Sequence, residues 1–94
     1  MTAVADLQPD SRPRVGTGFR LQWEPAQDCH VLLYPEGMVK LNQSAGEILS
    51  RCSGELTVAA LVADLEASFH TTGLTEDVQA FLRMARQQKW VAWE

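Results

Sequence analysis

Residues Phe19 to Leu41 read FRLQWEPAQDCHVLLYPEGMVKL, and the pattern of that stretch decides the fold. Phe19, Leu21 and Trp23 alternate with Arg20, Gln22 and Glu24, the period-two signature of a half-buried strand. Pro25 to Asp28 supplies turn chemistry. Cys29 to Tyr34 follows as a β-branched and aromatic run, apolar on both faces, which suits a central strand. Pro35-Glu36-Gly37 suits a tight reversal, because proline presets φ and glycine accepts a positive φ. Met38 to Leu41 then makes a short third strand, so the stretch predicts a three-stranded antiparallel meander.

Downstream the period becomes helical. Asn42 ahead of Ser44, Ala45, Gly46 and Glu47 has capping-box spacing, and Ala45, Ile48, Leu49 and Cys52 form one apolar stripe. Gly54 is placed to end this first helix in a left-handed conformation. Thr57 is placed to cap a second helix, with the stripe Val58, Leu61, Val62, Leu65 and Phe69, broken by His70 to Leu74 with Gly73. Thr75 is placed to cap a third, whose stripe is Val78, Phe81, Leu82 and Ala85, while Ala80, Met84 and Val91 form a milder second flank. Glu76 and Asp77 in its first turn and Arg83, Arg86 and Lys89 toward its end suit the helix dipole. Two apolar faces on one helix imply two neighbours, or one neighbour and a ligand.

Residues 1–18 hold Pro9, Pro13, Gly16 and Gly18 with no sustained apolar period, and read as a flexible arm ahead of a domain over residues 19–94. The expected fold class is therefore α+β, a three-stranded antiparallel meander followed by three helices in a winged helix-turn-helix-like layout.

Ninety-four residues make one domain, and 46% hydrophobic with 21% charged residues is ordinary for a soluble globular chain. The longest strictly apolar run, Val58 to Ala63, falls far short of the roughly 20 residues a membrane span needs. Asp6 and Asp10 stand where a signal peptide would be apolar, so a cytoplasmic chain without membrane attachment is expected. Cys29 and Cys52 make no disulfide framework. Cys29 and His30 are neighbours on a strand and point to opposite faces, and Cys52 and His70 lack ligand spacing, so no metal is expected. No G-x-S-x-G or phosphate-binding glycine loop occurs, which leaves no support for an enzyme or a nucleotide cofactor.

Binding remains. The third helix beside a β-wing would fit a DNA major groove, and a winged-helix DNA-binding regulator is the alternative function. Against it, the dipole explains the same basic residues, and a net charge of −4 opposes attraction to polyanions. The edge strand Met38 to Leu41 carries a single guarding lysine, Lys40, and can accept a guest strand. Ordinary edge protection by a short strand and a lysine explains it equally well. Trp23 is expected to pack into the sheet face, and Trp90 and Trp93 to dock the C-terminus rather than bind a ligand.

The run LLYPEGMVKLNQSAGEILSRCSG from Leu32 to Gly54 resembles the PqqD family of pyrroloquinoline quinone (PQQ) biosynthesis. RPRxGxGFRLQWE upstream and EDVQAFLxxxxxxKWV downstream extend the likeness over most of Arg12 to Val91; Ser53 departs from an acidic residue common in the family. The resemblance implies a precursor-peptide recognition element, a chaperone that binds the peptide PqqA and presents it to the radical S-adenosylmethionine enzyme PqqE; the exposed edge strand by itself allows either a monomer or a homodimer formed by strand pairing or exchange of the sheet. The resemblance also implies a groove between the third strand and the third helix. Carried onto this chain, the strand is Met38, Val39, Lys40 and Leu41, and the helix wall is Val78, Phe81, Leu82 and Ala85, with Arg86 and Lys89 as candidates for acidic groups on the peptide.

Overall fold

The alternation that begins at Phe19 and the apolar run from Cys29 become paired strands in the computed structural model, which describes residues 6–94. In chain order the elements are β1 (Arg14–Val15), β2 (Arg20–Glu24), β3 (Cys29–Tyr34), β4 (Gly37–Lys40), α1 (Gln43–Ser50), α2 (Val58–Ser68), α3 (Thr75–Gln87) and β5 (Val91–Ala92). β2, β3 and β4 form the antiparallel meander with β3 in the centre, as the sequence predicts. Leu21 pairs with Leu32 and Leu32 with Val39, so these three share one face of the sheet, the face on which α1 lies. Gln22, Val31 and Lys40 share the other.

Gly46 lets α1 sit close to the sheet. A methyl group there would stand 2.6 Å from His30 Nδ1, well inside contact distance. Alanine is the better helix former by about 1 kcal/mol, yet overpacking a filled interface costs about 1–3 kcal/mol. Gly46→Ala is therefore expected to lower stability in urea unfolding despite its gain in helix propensity.

Two of the three expected caps form. Asn42 Oδ1 accepts from the Ala45 N–H at 2.8 Å, and Thr57 Oγ1 accepts from the Ala60 N–H at 3.1 Å. Thr75 does not cap. It is the first residue of α3, and the cap position is Leu74, whose own N–H donates to Glu66 Oε2 of α2 at 3.0 Å. α1 ends at Ser50, before Gly54, and Cys52 stays buried beyond it. Gly54 has φ +84° but donates its N–H to Pro13 O at 3.0 Å, so its left-handed turn serves a junction with the N-terminal segment. Arg51 ties α1 to α2 through Glu47 at 2.9 Å and Asp64 at 2.6 Å. The Cys52 thiol, its pKa pushed up to about 12 by burial, offers no thiolate near neutral pH.

The arm expected over residues 1–18 begins in residues 1–5, which lie outside the described residues. From Leu7 onward the segment is docked rather than loose. Leu7, Ser11 and Pro13 are buried, and the carbonyls of Ser11 and Pro9 accept from the Val58 and Ala59 N–H groups at 2.8 and 3.0 Å. Those donors open α2 and have no partner within the helix, so the N-terminal segment completes its capping. β1 pairs with β5 in register Arg14↔Ala92 and Val15↔Val91, joining the two ends of the chain. Gly16 allows this closure, since a Cβ there would collide with the Lys89 carbonyl.

The core lies between the sheet and the helices. Leu32, Leu49, Leu61 and Leu82 are its largest fully buried side chains. Trp93 docks into it as expected of the C-terminus, whereas Trp23 is 49% exposed and makes a T-shaped ring contact with His30, centroids 5.0 Å apart. Trp23 sits near the turn end of β2, where the sheet face is not fully covered.

Candidate functional site: an open strand edge beside an apolar groove

β4 is paired with β3 on one side, and among the described residues no strand covers its other side. Which backbone groups are free follows from the register. Leu41 N–H donates to His30 O at 3.0 Å, Lys40 stands opposite Val31, and Val39 opposite Leu32. Antiparallel pairs alternate between bonded and non-bonded, so Val39 turns its N–H and C=O toward β3, while Met38 and Lys40 turn theirs outward. The side chains of Val39 and Leu41 face the helices, and those of Met38 and Lys40 the opposite face.

Beside this edge runs a groove of about 420 Å³. Val39, Lys40 and Leu41 form one wall, Phe81, Met84 and Trp90 the other, with Ala45 and Ile48 of α1 at its base and Asp77 at one side. The strand and the third helix thus meet across a cleft whose walls are mainly apolar.

The sequence-derived residues divide sharply. Met38 to Lys40 lie along the open edge, with Leu41 just beyond it, and Phe81 faces the groove. Leu82 and Ala85, both 0% exposed, do not and are core, and Val78, 3% exposed, borders not this groove but the cavity next to it. The apolar stripe read as groove wall is mainly the packing stripe. The milder flank supplies Met84, and Trp90, assigned to docking of the C-terminus, supplies the rest of the wall.

Arg86 and Lys89 do not line the groove. The Arg86 guanidinium lies 4.1 Å from the Trp93 ring centroid and donates to Trp93 O at 3.4 Å. Arg83 pairs with Asp6 at 3.2 Å, and that guanidinium, chiefly through its hydrogen bond, lowers the Asp6 carboxyl pKa. Two of the three basic residues of this helix region thus hold the chain ends. The cation–π geometry at Trp93 was not legible, because residues seven apart with an intervening turn share no helical face.

The match to the family model of coenzyme PQQ synthesis protein D spans residues 29–91, and so contains β3, β4, the groove and all three helices. The chain belongs to the PqqD family. Relatives include a "PqqA binding protein" of Stutzerimonas stutzeri, 49% identical over 89 residues that cover 94% of this chain and 97% of that one. Another "PqqA binding protein", of Pseudomonas aeruginosa, is 59% identical over 83 residues, covering 87% and 90% of the two chains. The solution NMR structure of the PqqD truncation of Methylobacterium extorquens PqqCD, described as a functional and stand-alone recognition element for ribosomally synthesized, post-translationally modified peptides, superposes with a TM-score of 0.69 at 26% identity. It covers 94% of this chain and 95% of that one.

Proposed function

We propose that this chain binds the precursor peptide PqqA by adding it as a strand along β4 and presents it to the radical S-adenosylmethionine enzyme PqqE in PQQ biosynthesis. It acts in the cytoplasm and performs no chemistry itself. The observation that carries the reading is the coincidence of an open β4 edge with an apolar groove along the same strand. The outward groups of Met38 and Lys40 supply hydrogen bonds that any sequence can make, and the groove supplies selection among side chains. Val39, Leu41, Phe81, Met84 and Trp90 receive apolar peptide side chains. Val78, Leu82 and Ala85 hold α3 in place behind them. Membership of the PqqD family and the names of the relatives support PqqA as the ligand.

Calorimetric titration with synthetic PqqA tests the first step, and gel filtration of the peptide complex with purified PqqE tests the second. Saturable one-to-one binding and a ternary complex are expected. An absence of peptide binding would overturn the reading.

A further inference from the structure

The groove does not stop where β4 ends. A second cavity of about 490 Å³ opens between α1, the end of α2 and the start of α3, and it shares Ser44, Ile48 and Asp77 with the first. Leu65 and Val78 lie in its apolar floor, and Phe69 and Leu74 form its walls. Phe69 continues the buried stripe of α2 by spacing, yet it is 43% exposed at the helix C-cap. It is a wall rather than a plug. On the rim, Glu47 is taken up by Arg51 at 2.9 Å, whereas Asp77 has no ion pair among the described residues.

On the strand-addition reading above, we propose that the bound peptide runs on past Lys40, seats one large apolar side chain between Phe69 and Leu74, and places a neighbouring lysine or arginine against Asp77. Continuity decides the occupant. A guest strand leaving β4 at Lys40 meets Asn42 and Ser44 in the first cavity, and Ser44 also borders the second. An extended chain advances about 3.3 Å per residue, so a few residues bridge the two. Charge decides the chemistry, because the carboxylate at the junction is the one left open on that rim. Strand pairing itself reads no sequence, and a second pocket with a fixed charge beside it sets both the register and the identity of the peptide.

The test is titration of the full chain with synthetic PqqA in three variants: Phe69→Ala, Asp77→Lys and Lys40→Pro. Phe69→Ala and Asp77→Lys are each expected to weaken binding roughly tenfold. The Asp77→Lys loss should be recovered by a PqqA peptide in which the lysine or arginine concerned is replaced by glutamate. Circular dichroism checks each fold, and if Phe69→Ala does not fold, Asp77→Lys with the charge-swapped peptide decides alone. Wild-type affinity in both cavity variants, with binding lost in Lys40→Pro, would overturn the second cavity and leave strand addition standing. Loss of PqqE binding or of self-association, with peptide affinity unchanged, would assign the cavity to another occupant and equally overturn the proposal. Failure of the wild type to bind would remove both.

Discussion

Lys40→Pro is expected to lower PqqA affinity on the order of a hundredfold while leaving the sheet folded. Lys40 is a non-bonded partner of Val31, so its N–H points away from β3 and proline there removes nothing from the β3–β4 ladder. Edge strands tolerate proline where the lost donor faces solvent. A guest strand, however, loses a donor, keeps an unpaired carbonyl against the edge, and meets the proline ring. Lys40→Ala retains the N–H and removes only an exposed charge, so its effect should stay within about 0.2–1 kcal/mol and fade with salt. Val39→Pro, one residue away, strikes an inward-facing donor and should weaken the fold itself. Fluorescence titration alongside circular dichroism of the three variants separates these outcomes, and equal binding by Lys40→Pro and Lys40→Ala would exclude hydrogen bonding through this edge.

Leu82→Ala carries the largest expected effect on stability. Leu82 is fully buried in α3, and deleting its side chain should cost about 2–5 kcal/mol, a large share of the roughly 5–15 kcal/mol that holds a typical domain together. Met84, two residues on, is exposed and lines the groove. Met84→Ala should leave the urea midpoint nearly unchanged and weaken peptide binding several-fold. The two variants therefore split stability from affinity on opposite faces of one helix. A Leu82→Ala protein as stable as the wild type would show that this face of α3 is not the packed one.

Most of the meander was legible because its signals are local. Alternation at Phe19 to Glu24, the apolar run at Cys29 to Tyr34 and the Pro-Glu-Gly reversal each lie within a few residues, and each forms. Asn42 and Thr57 were legible as caps for the same reason. The N-terminal segment was not, because its anchors are main-chain bonds to α2 and a two-residue pairing of β1 with β5 from the far end of the chain. Such contacts leave no periodicity. Thr75 misled because a threonine before an acidic first turn looks like a cap, while the acceptor came from Glu66 in another helix.

At the site, the strand was legible and the helix face was not. Spacing identifies an apolar stripe but does not say whether core or ligand covers it, so the stripe that reads as wall includes Leu82 and Ala85, which are packed inside, and Val78, which borders only the neighbouring cavity. Phe81 sits at the boundary of the two faces and serves both. The signal for Met84 lay in the milder second flank, which had no partner within the core stripe. Trp90 gave no such signal, since it follows the helix and is aimed into the groove by the turn before β5.

The parity of β4 offers the most direct test of strand addition. Amide hydrogen exchange is measured residue by residue by NMR, with and without saturating PqqA. Met38 and Lys40, whose N–H groups face outward, are expected to gain strong protection on binding, while Val39 and Leu41, already bonded to β3, change little. Peptide bound at saturation with Met38 and Lys40 exchanging as fast as in the free protein would contradict strand addition at this edge.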